Sequence, residues 1–299
     1  MGTLRYFFLL FLVTLNLKAF EQLHVEPSVG VGVNSLNMTV NSGTTYKPTN
    51  TNYYFLSLGI NKLSLQAKFP QKDTQEIRNS RVDSRIQDFQ VSLDVYKNWK
   101  AAIFYQDYKG YFVENSQMQY GKGNPDLNLN HIGAQLFFVF NQKHSSFLIQ
   151  DAYWNESEDS SSWIISAGYD RFVIEGDILP TELKIHKEEV LHTVGVNSLT
   201  LRGGYSRNWV WSHWFVGAVA GLGYNSNQID ANYKKRYEGE RTTASATFLN
   251  SIFAFSGGYK WVASKIGFFA RAYTWHIGID DMDISSNTAT SGVYYSSTF

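Results

Sequence analysis

The chain has no cysteine, five prolines in 299 residues, and no excess charge of either sign: 26 Lys and Arg balance 26 Asp and Glu. Without cysteine there is no disulfide framework and no thiol chemistry. Formal neutrality argues against a nucleic-acid binder, which needs a basic face. No Pro/Ser-rich linker or charge block divides residues 20–299, so a single domain is expected there. Beyond the N-terminal segment no apolar run approaches the ~18 residues of a membrane-crossing helix, which excludes a helical membrane protein. A 3.6-residue hydrophobic period is also missing over any useful length. No phosphate-binding glycine loop and no histidine pair at helical spacing occurs, so no cofactor and no resident metal are expected.

What is plentiful is aromatic or small. The chain holds 19 Tyr, 21 Phe, 8 Trp and 23 Gly. At the N-terminus, Met1 to Arg5 is short and basic, Tyr6 to Leu17 is nearly all apolar, and Lys18-Ala19 follows. Such a run covers about 18 Å as a helix, short of a ~30 Å hydrocarbon core. Residues 1–19 therefore read as a cleavable signal peptide, with an uncleaved anchor as the alternative, and residues 20–299 as the mature domain.

The period of the mature chain is two. Leu23, Val25, Val29, Val31 and Val33 alternate with His24, Glu26, Ser28, Gly30, Gly32 and Asn34. Successive side chains of a strand point to opposite faces, so this is a strand with one apolar and one polar or small face. Tyr54 to Ile60, a tight turn at Asn61-Lys62, and Leu63 to Phe69 read as a hairpin. The pattern returns at Phe89 to Val95, Trp99 to Tyr105, Ile132 to Phe140, Phe147 to Trp154, Trp163 to Phe172, Leu199 to Tyr205, Trp214 to Tyr224, and three times between Ala246 and Phe299. Short turns (61–62, 97–98, 141–143, 208–210, 260–264) alternate with longer polar stretches (35–50, 70–87, 113–129, 226–243, 280–290). Barrels with short periplasmic turns and long outer loops have this asymmetry. The expected fold is an all-β, transmembrane antiparallel up-and-down barrel. A further strand near 177–185 gives about 14 strands, and reading that stretch as a loop gives 12 or 13.

Alternation alone also fits a soluble secreted β-sandwich. Strand length favours the membrane, and so do aromatics at strand ends: Tyr54, Trp99, Tyr111, Trp154, Trp163, Trp211, Trp214, Tyr224, Trp261 and Trp275. The C-terminal strand ends on Phe299 behind Tyr295 and Val293, although Ser297 breaks its apolar row. A terminal aromatic of this kind is expected to engage the barrel assembly machinery.

Short motifs add a resemblance. They are Y-K-P-T-N at 46–50, Y-Q-D-Y-K-G-Y-F at 105–112, N-P-D-L at 124–127 and F-N-Q-K-H-S-S-F at 140–147. S-A-G-Y at 166–169, D-I-L-P at 177–180, G-G-Y at 203–205 and G-L-G-Y at 221–224 complete the order. This succession resembles the bacterial family of domain of unknown function 4421. The resemblance implies an outer-membrane barrel of a Gram-negative cell and no settled activity. A glutamine- and lysine-rich stretch usual after the F-N segment is replaced here by N-E-S-E-D-S.

If the apolar rows face lipid, the opposite rows carry the functional candidates. They are Lys68; Asp88, Gln90 and Asp94; Lys100, Gln106 and Tyr108; Asp170; Arg202; and Lys265 and Arg271. A lipid-facing Arg or Lys costs about 2–4 kcal/mol at the midplane, so these side chains are expected in the lumen. There they form either a polar passage for small solutes or a salt-bridged filling. Phe104, Tyr108, Phe269, Tyr273 and Trp275 on the same rows favour partial filling. A lipid hydrolase is the enzymatic alternative, resting on the His144-x-Ser146 spacing, with Trp211-Ser212-His213 no better placed. The acidic knot Asp280, Asp281, Asp283 lacks the spacing of a calcium loop. Lys234-Lys235-Arg236 is either a solvated loop or a contact for lipopolysaccharide. Outer-membrane lipid and lipopolysaccharide are the expected partners.

Overall fold

The computed structural model describes residues 24–40, 44–48, 51–71, 74–77, 80–83, 85–115, 122–144, 159–176, 189–235, 239–279 and 282–299. The strands in chain order are β1 (Val25–Val40), β2 (Thr44–Pro48), β3 (Asn52–Ile60), β4 (Leu63–Pro70), β5 (Thr74–Ile77), β6 (Ser80–Asp83), β7 (Arg85–Tyr96) and β8 (Trp99–Asn115). Then come β9 (Lys122–Val139), β10 (Ser160–Glu175), β11 (Glu189–Trp211), β12 (Trp214–Lys235), β13 (Gly239–Lys260), β14 (Ser264–Ile279) and β15 (Met282–Ser297).

Twelve of these strands close a ring of antiparallel pairs, β1-β3-β4-β7-β8-β9-β10-β11-β12-β13-β14-β15, with β15 returning to β1. Closure removes both sheet edges, so every wall strand finds its backbone partners inside the protein, as a bilayer requires. One closed sheet also replaces the two-sheet sandwich held open above. The seam is long, running from Ser28↔Ser296 to Val40↔Ile284. Below it Phe299 and Val25 exchange backbone hydrogen bonds of 2.9 and 3.2 Å. The ring thus has twelve strands rather than the favoured count of about 14, the lowest of the expected numbers. β9 pairs directly with β10, and β10 with β11, so the ring of described strands closes without 147–154 or 177–185. Both stretches lie outside the described residues, as do residues 1–19.

Two-residue turns at Asn61-Lys62, Lys97-Asn98 and Ser212-His213 join strands at one end, here the turn end. Each opens on a residue with positive φ: Asn61 at 51°, Lys97 at 39° and Ser212 at 55°. That left-handed geometry matches the twist of a two-residue hairpin. The turn expected at 208–210 is instead strand, since β11 runs on to Trp211. At the loop end the strands extend further than expected, and most of 35–40, 226–235, 239–243 and 282–290 is strand rather than loop.

The ring narrows at the loop end. β3 and β4 are short, and β2 pairs there with both β1 and β8. β8 pairs with β7 up to Lys109 and with β2 from Tyr111 on, and Gly110 between them takes φ 80°. The hairpin β5–β6 lies in the β4–β7 connection.

Burial follows the alternation. On β12 Trp214, Leu222 and Tyr224 face outward and are exposed, while Phe215, Val219 and Asn225 are buried inside. The outward apolar span from Trp214 to Tyr224 is about the ~9–11 residues of a tilted membrane strand. Beyond it Ser226 and Gln228 are the outward, exposed residues, so β12 projects past the apolar band. Trp99, Trp163, Trp211, Trp214 and Trp261 are exposed on the turn-end side, with Tyr54, Tyr169 and Tyr224 higher up. These form the two aromatic girdles of a membrane barrel. Tyr111 and Trp275 do not belong to them. Both are buried in the lumen, because β8 and β14 run past the band and their inward rows become apolar there.

Candidate functional site

The lumen is filled in three layers. At the turn end lie the clusters Tyr53, Phe55, Phe215, Phe269, Tyr294 and Ala102, Phe137, Val139, Ile164. At the loop end a larger apolar cluster includes Met38, Tyr46, Tyr111, Leu129, Phe172 and Trp275. Between them sits a polar layer. In it the strand period brings inward the side chains that sequence assigned to the lumen.

The first polar group spans five staves. Lys68 Nζ on β4 pairs with Asp88 Oδ2 on β7 at 2.9 Å. Asp88 also accepts from Gln90 Nε2 at 2.9 Å and from Gln106 Nε2 on β8 at 3.1 Å. Gln106 Oε1 meets His131 Nδ1 on β9 at 3.1 Å, and His131 Nε2 meets Asp170 Oδ2 on β10 at 3.3 Å. Buried charge is costly unless paired and hydrogen-bonded, and this chain of contacts meets that condition.

A second group centres on Arg202 of β11. Its Nε donates to Asn250 Oδ1 at 3.1 Å, and its guanidinium lies 5.3 Å from the centroid of the Tyr273 ring. Asn250 in turn donates to Asn225. Arg271 of β14 lines the same space. A third group closes the barrel seam: Lys265 Nζ pairs with Glu26 Oε1 at 2.7 Å, and Ser296 Oγ donates to the same oxygen at 2.7 Å. Asn34 links the layers, donating to the Tyr108 hydroxyl at 3.0 Å and accepting from Thr290 at 3.1 Å.

Of the eleven candidates, Lys68, Asp88, Gln90, Gln106, Tyr108, Asp170, Arg202 and Arg271 therefore meet in the middle layer. Lys265 stands nearer the turn end. Asp94 and Lys100 pair with each other at 3.0 Å close to the Lys97-Asn98 turn, half exposed and away from the rest. Sequence reasoning missed Glu26, His131, Asn225 and Asn250. Each sits on an inward row, so the period was the available signal, but the partner that gives each its chemistry comes from another strand far along the chain.

The middle layer lines a cavity of about 110 Å³. Its walls are polar on Gln90, Gln106, His131, Asp170, Arg202 and Arg271, and aromatic on Phe104, Phe172, Tyr273 and Trp275. The rings touch edge to face, Phe104–His131 at 4.8 Å and Phe172–Trp275 at 4.6 Å between centroids.

The hydrolase candidates assemble less. Ser146 lies outside the described residues. His144 Nδ1 instead shares a 3.0 Å hydrogen bond with Ser160 Oγ at the turn end, both side chains being buried. Its Nε2 is buried with no partner among the described residues, so no acidic group is seen to orient the ring as a nucleophile's base requires. Burial lowers the His144 pKa to about 4, helped by the nearby Lys100 and Arg207 cations. Ser212 and His213 form a local 2.9 Å contact in an exposed turn. Asp280, Asp281 and Arg236 lie outside the described residues, and no group of three or more metal-ligating side chains gathers among the described ones.

No curated protein matches the chain in sequence. Among solved structures it is similar to the outer membrane protease OmpT of Escherichia coli, at 9% identity and TM-score 0.44, over 92% of this chain and 97% of that one. It is similar too to the translocator domain of the autotransporter NalP of Neisseria meningitidis, at 9% identity and TM-score 0.48, covering 92% and 88%. The toluene transporter TbuX of Ralstonia pickettii matches at 10% identity and TM-score 0.35, covering 92% and 89%. A protease and transporters stand side by side in that group, so no role passes from it to this chain. The family comparison is more direct, because the model described as Domain of unknown function (DUF4421) matches residues 14–291, and the chain belongs to that family.

Proposed function

We propose that this chain is a non-enzymatic outer-membrane barrel of a Gram-negative bacterium that admits small solutes into a narrow lumen, closed at rest. The observation that carries the reading is the polar cavity held between two apolar layers. An open porin keeps a continuous wet channel, whereas here buried apolar clusters crowd the lumen on both sides of the cavity, Phe55, Phe215 and Phe269 on one and Tyr111, Leu129 and Trp275 on the other. A purely structural barrel has no need of a cavity lined by charged groups on several staves. In this reading the turn end faces the periplasm, and the two girdles sit at the lipid and lipopolysaccharide interfaces. Phe299, two residues past the end of β15, presents its exposed ring to the assembly machinery.

Planar-bilayer recording of the refolded barrel, together with liposome swelling, tests this proposal. The expected result is little steady conductance and measurable entry of small solutes. A large constant conductance would replace it with an open porin, and no entry of any solute would leave only a structural role.

A further inference from the structure

The cavity has a chemical sign. We propose that it binds a small organic monoanion with a flat apolar body, of which an aromatic monocarboxylate is the simplest case, the acid group being held by Arg202 and Arg271. The inference rests on the reading that the lumen takes in solutes, and names their class.

Charge is the first argument. Two guanidiniums and one carboxylate, Asp170, line the space, and that carboxylate is already engaged by His131. The neighbouring Lys68 and Asp88 neutralise each other at 2.9 Å. Arg202 is itself buried, its partners Asn250 and Tyr273 are neutral, and no carboxylate among the described residues stands within ion-pair distance of it, in surroundings where an unbalanced charge attracts a counter-ion strongly.

Geometry is the second. Arg202 is not a loose side chain: Asn250 holds Nε, and the Tyr273 hydroxyl lies 3.5 Å from Nη2. Two anchors fix the guanidinium plane, and a guanidinium has five donors in a fork suited to a planar carboxylate. Such preorganisation costs entropy on folding rather than on binding.

The walls supply the rest. Phe104, Phe172, Tyr273 and Trp275 offer ring faces and edges to a flat guest. The volume takes several waters or one small ring, not an oligomer.

Calorimetric titration of the folded barrel in detergent micelles, against micelle blanks, tests the site. The probes are benzoate, its neutral counterpart benzyl alcohol, and the cation benzylammonium. Benzoate is expected to bind at least about tenfold more tightly than either, as a charge-assisted pair requires. Arg202→Gln and Arg271→Gln should each lower benzoate affinity by about tenfold or more. Arg202→Lys, which keeps the charge and loses the fork, should fall between, and Arg207→Gln on the outer row should bind as the parent does. Heat-dependent gel mobility confirms that each variant is folded. No benzoate binding, equal binding of benzyl alcohol, or undiminished binding in both Gln variants overturns the proposal. Benzoate binding without solute entry into liposomes overturns the solute-passing reading alone. Entry of solutes without benzoate binding overturns this inference alone.

Discussion

Lys68 Nζ lies 2.9 Å from Asp88 Oδ2 across the β4–β7 pair, with the two side chains 1% and 0% exposed. Neither charge has access to bulk water, so each depends on the other and on the two glutamines that donate to Asp88. Lys68 also faces the Tyr53 ring at 5.1 Å, which ties the polar layer to the apolar one beneath it.

Breaking that pair from one side leaves a stranded charge, whereas removing both leaves none. Lys68→Met is expected to destabilise the barrel by about 3–5 kcal/mol. The double variant Lys68→Met, Asp88→Leu should recover much of the loss, because buried pairs are often replaced by apolar groups at little cost. Urea unfolding in lipid vesicles, followed by tryptophan fluorescence and closed as a double-mutant cycle, measures this. Additive losses would show that the two side chains do not act as a pair.

The turn end has its own pH dependence. His144 is held neutral by burial, with Lys100 and Arg207 adding to the effect, and its pKa falls to about 4 from a usual value near 6.5. Between those values the unfolded chain binds more protons than the folded one, so stability rises with pH there. The contribution is fully present above about pH 6.5 and is lost as pH falls toward 4. Unfolding midpoints across that range should drop for the parent chain, and His144→Asn should flatten this part of the profile. A variant with the same slope as the parent would assign the dependence to other groups.

How much of this was legible in the sequence depends on which side chains carried contrast. Val29, Leu56, Leu136 and Phe253 are exposed on the outer wall, while Lys68, Gln90 and Arg202 are buried within, as period two demands. The pattern failed where both rows are polar. Residues 208–210 read as a turn, yet Asn208 is buried inside and the strand continues to Trp211, with Arg207 before it on the outer row. Past Tyr224 the outward residues no longer meet lipid, so Ser226 and Gln228 need not be apolar and the strand looked like loop. For the same reason Tyr111 was expected in a girdle and is found in the core. Pairing within the lumen was out of reach for another cause. Thr290 and Asn34 are 256 residues apart and Ser296 and Glu26 are 270 apart, and only ring closure makes them neighbours.

Closure itself depends on space at one glycine. A Cβ on Gly30 would stand 2.4 Å from the Phe55 ring and 2.4 Å from the Val293 carbonyl of the strand across the seam. One contact is to backbone, which cannot swing aside, so Gly30→Ala is expected to cost about 1–3 kcal/mol and to slow barrel closure. A Cβ on Gly203, on the outer row, meets nothing within 4 Å, so Gly203→Ala should be close to neutral. Comparing the heat-modifiable gel mobility of the two variants during refolding tests the contrast. Equal behaviour would mean that the β15–β1 seam tolerates a side chain there.

The placement of the wall in lipid makes a sharper demand. Phe253 is 55% exposed on β13 and pairs with Ala220, well inside the span bounded by Trp214 and Tyr224 on β12. Gln228 is exposed on the same outer face of β12 but beyond Tyr224. In a barrel crossing a bilayer, Phe253→Arg buries a guanidinium among acyl chains and should cost about 2–4 kcal/mol, whereas Gln228→Arg should cost close to nothing. In a water-surrounded barrel the order reverses, since exchanging an exposed phenylalanine for arginine removes an apolar patch and helps solubility. Unfolding free energies of both variants in phospholipid vesicles decide the matter. A Phe253→Arg protein as stable as the parent would take the apolar band out of the membrane.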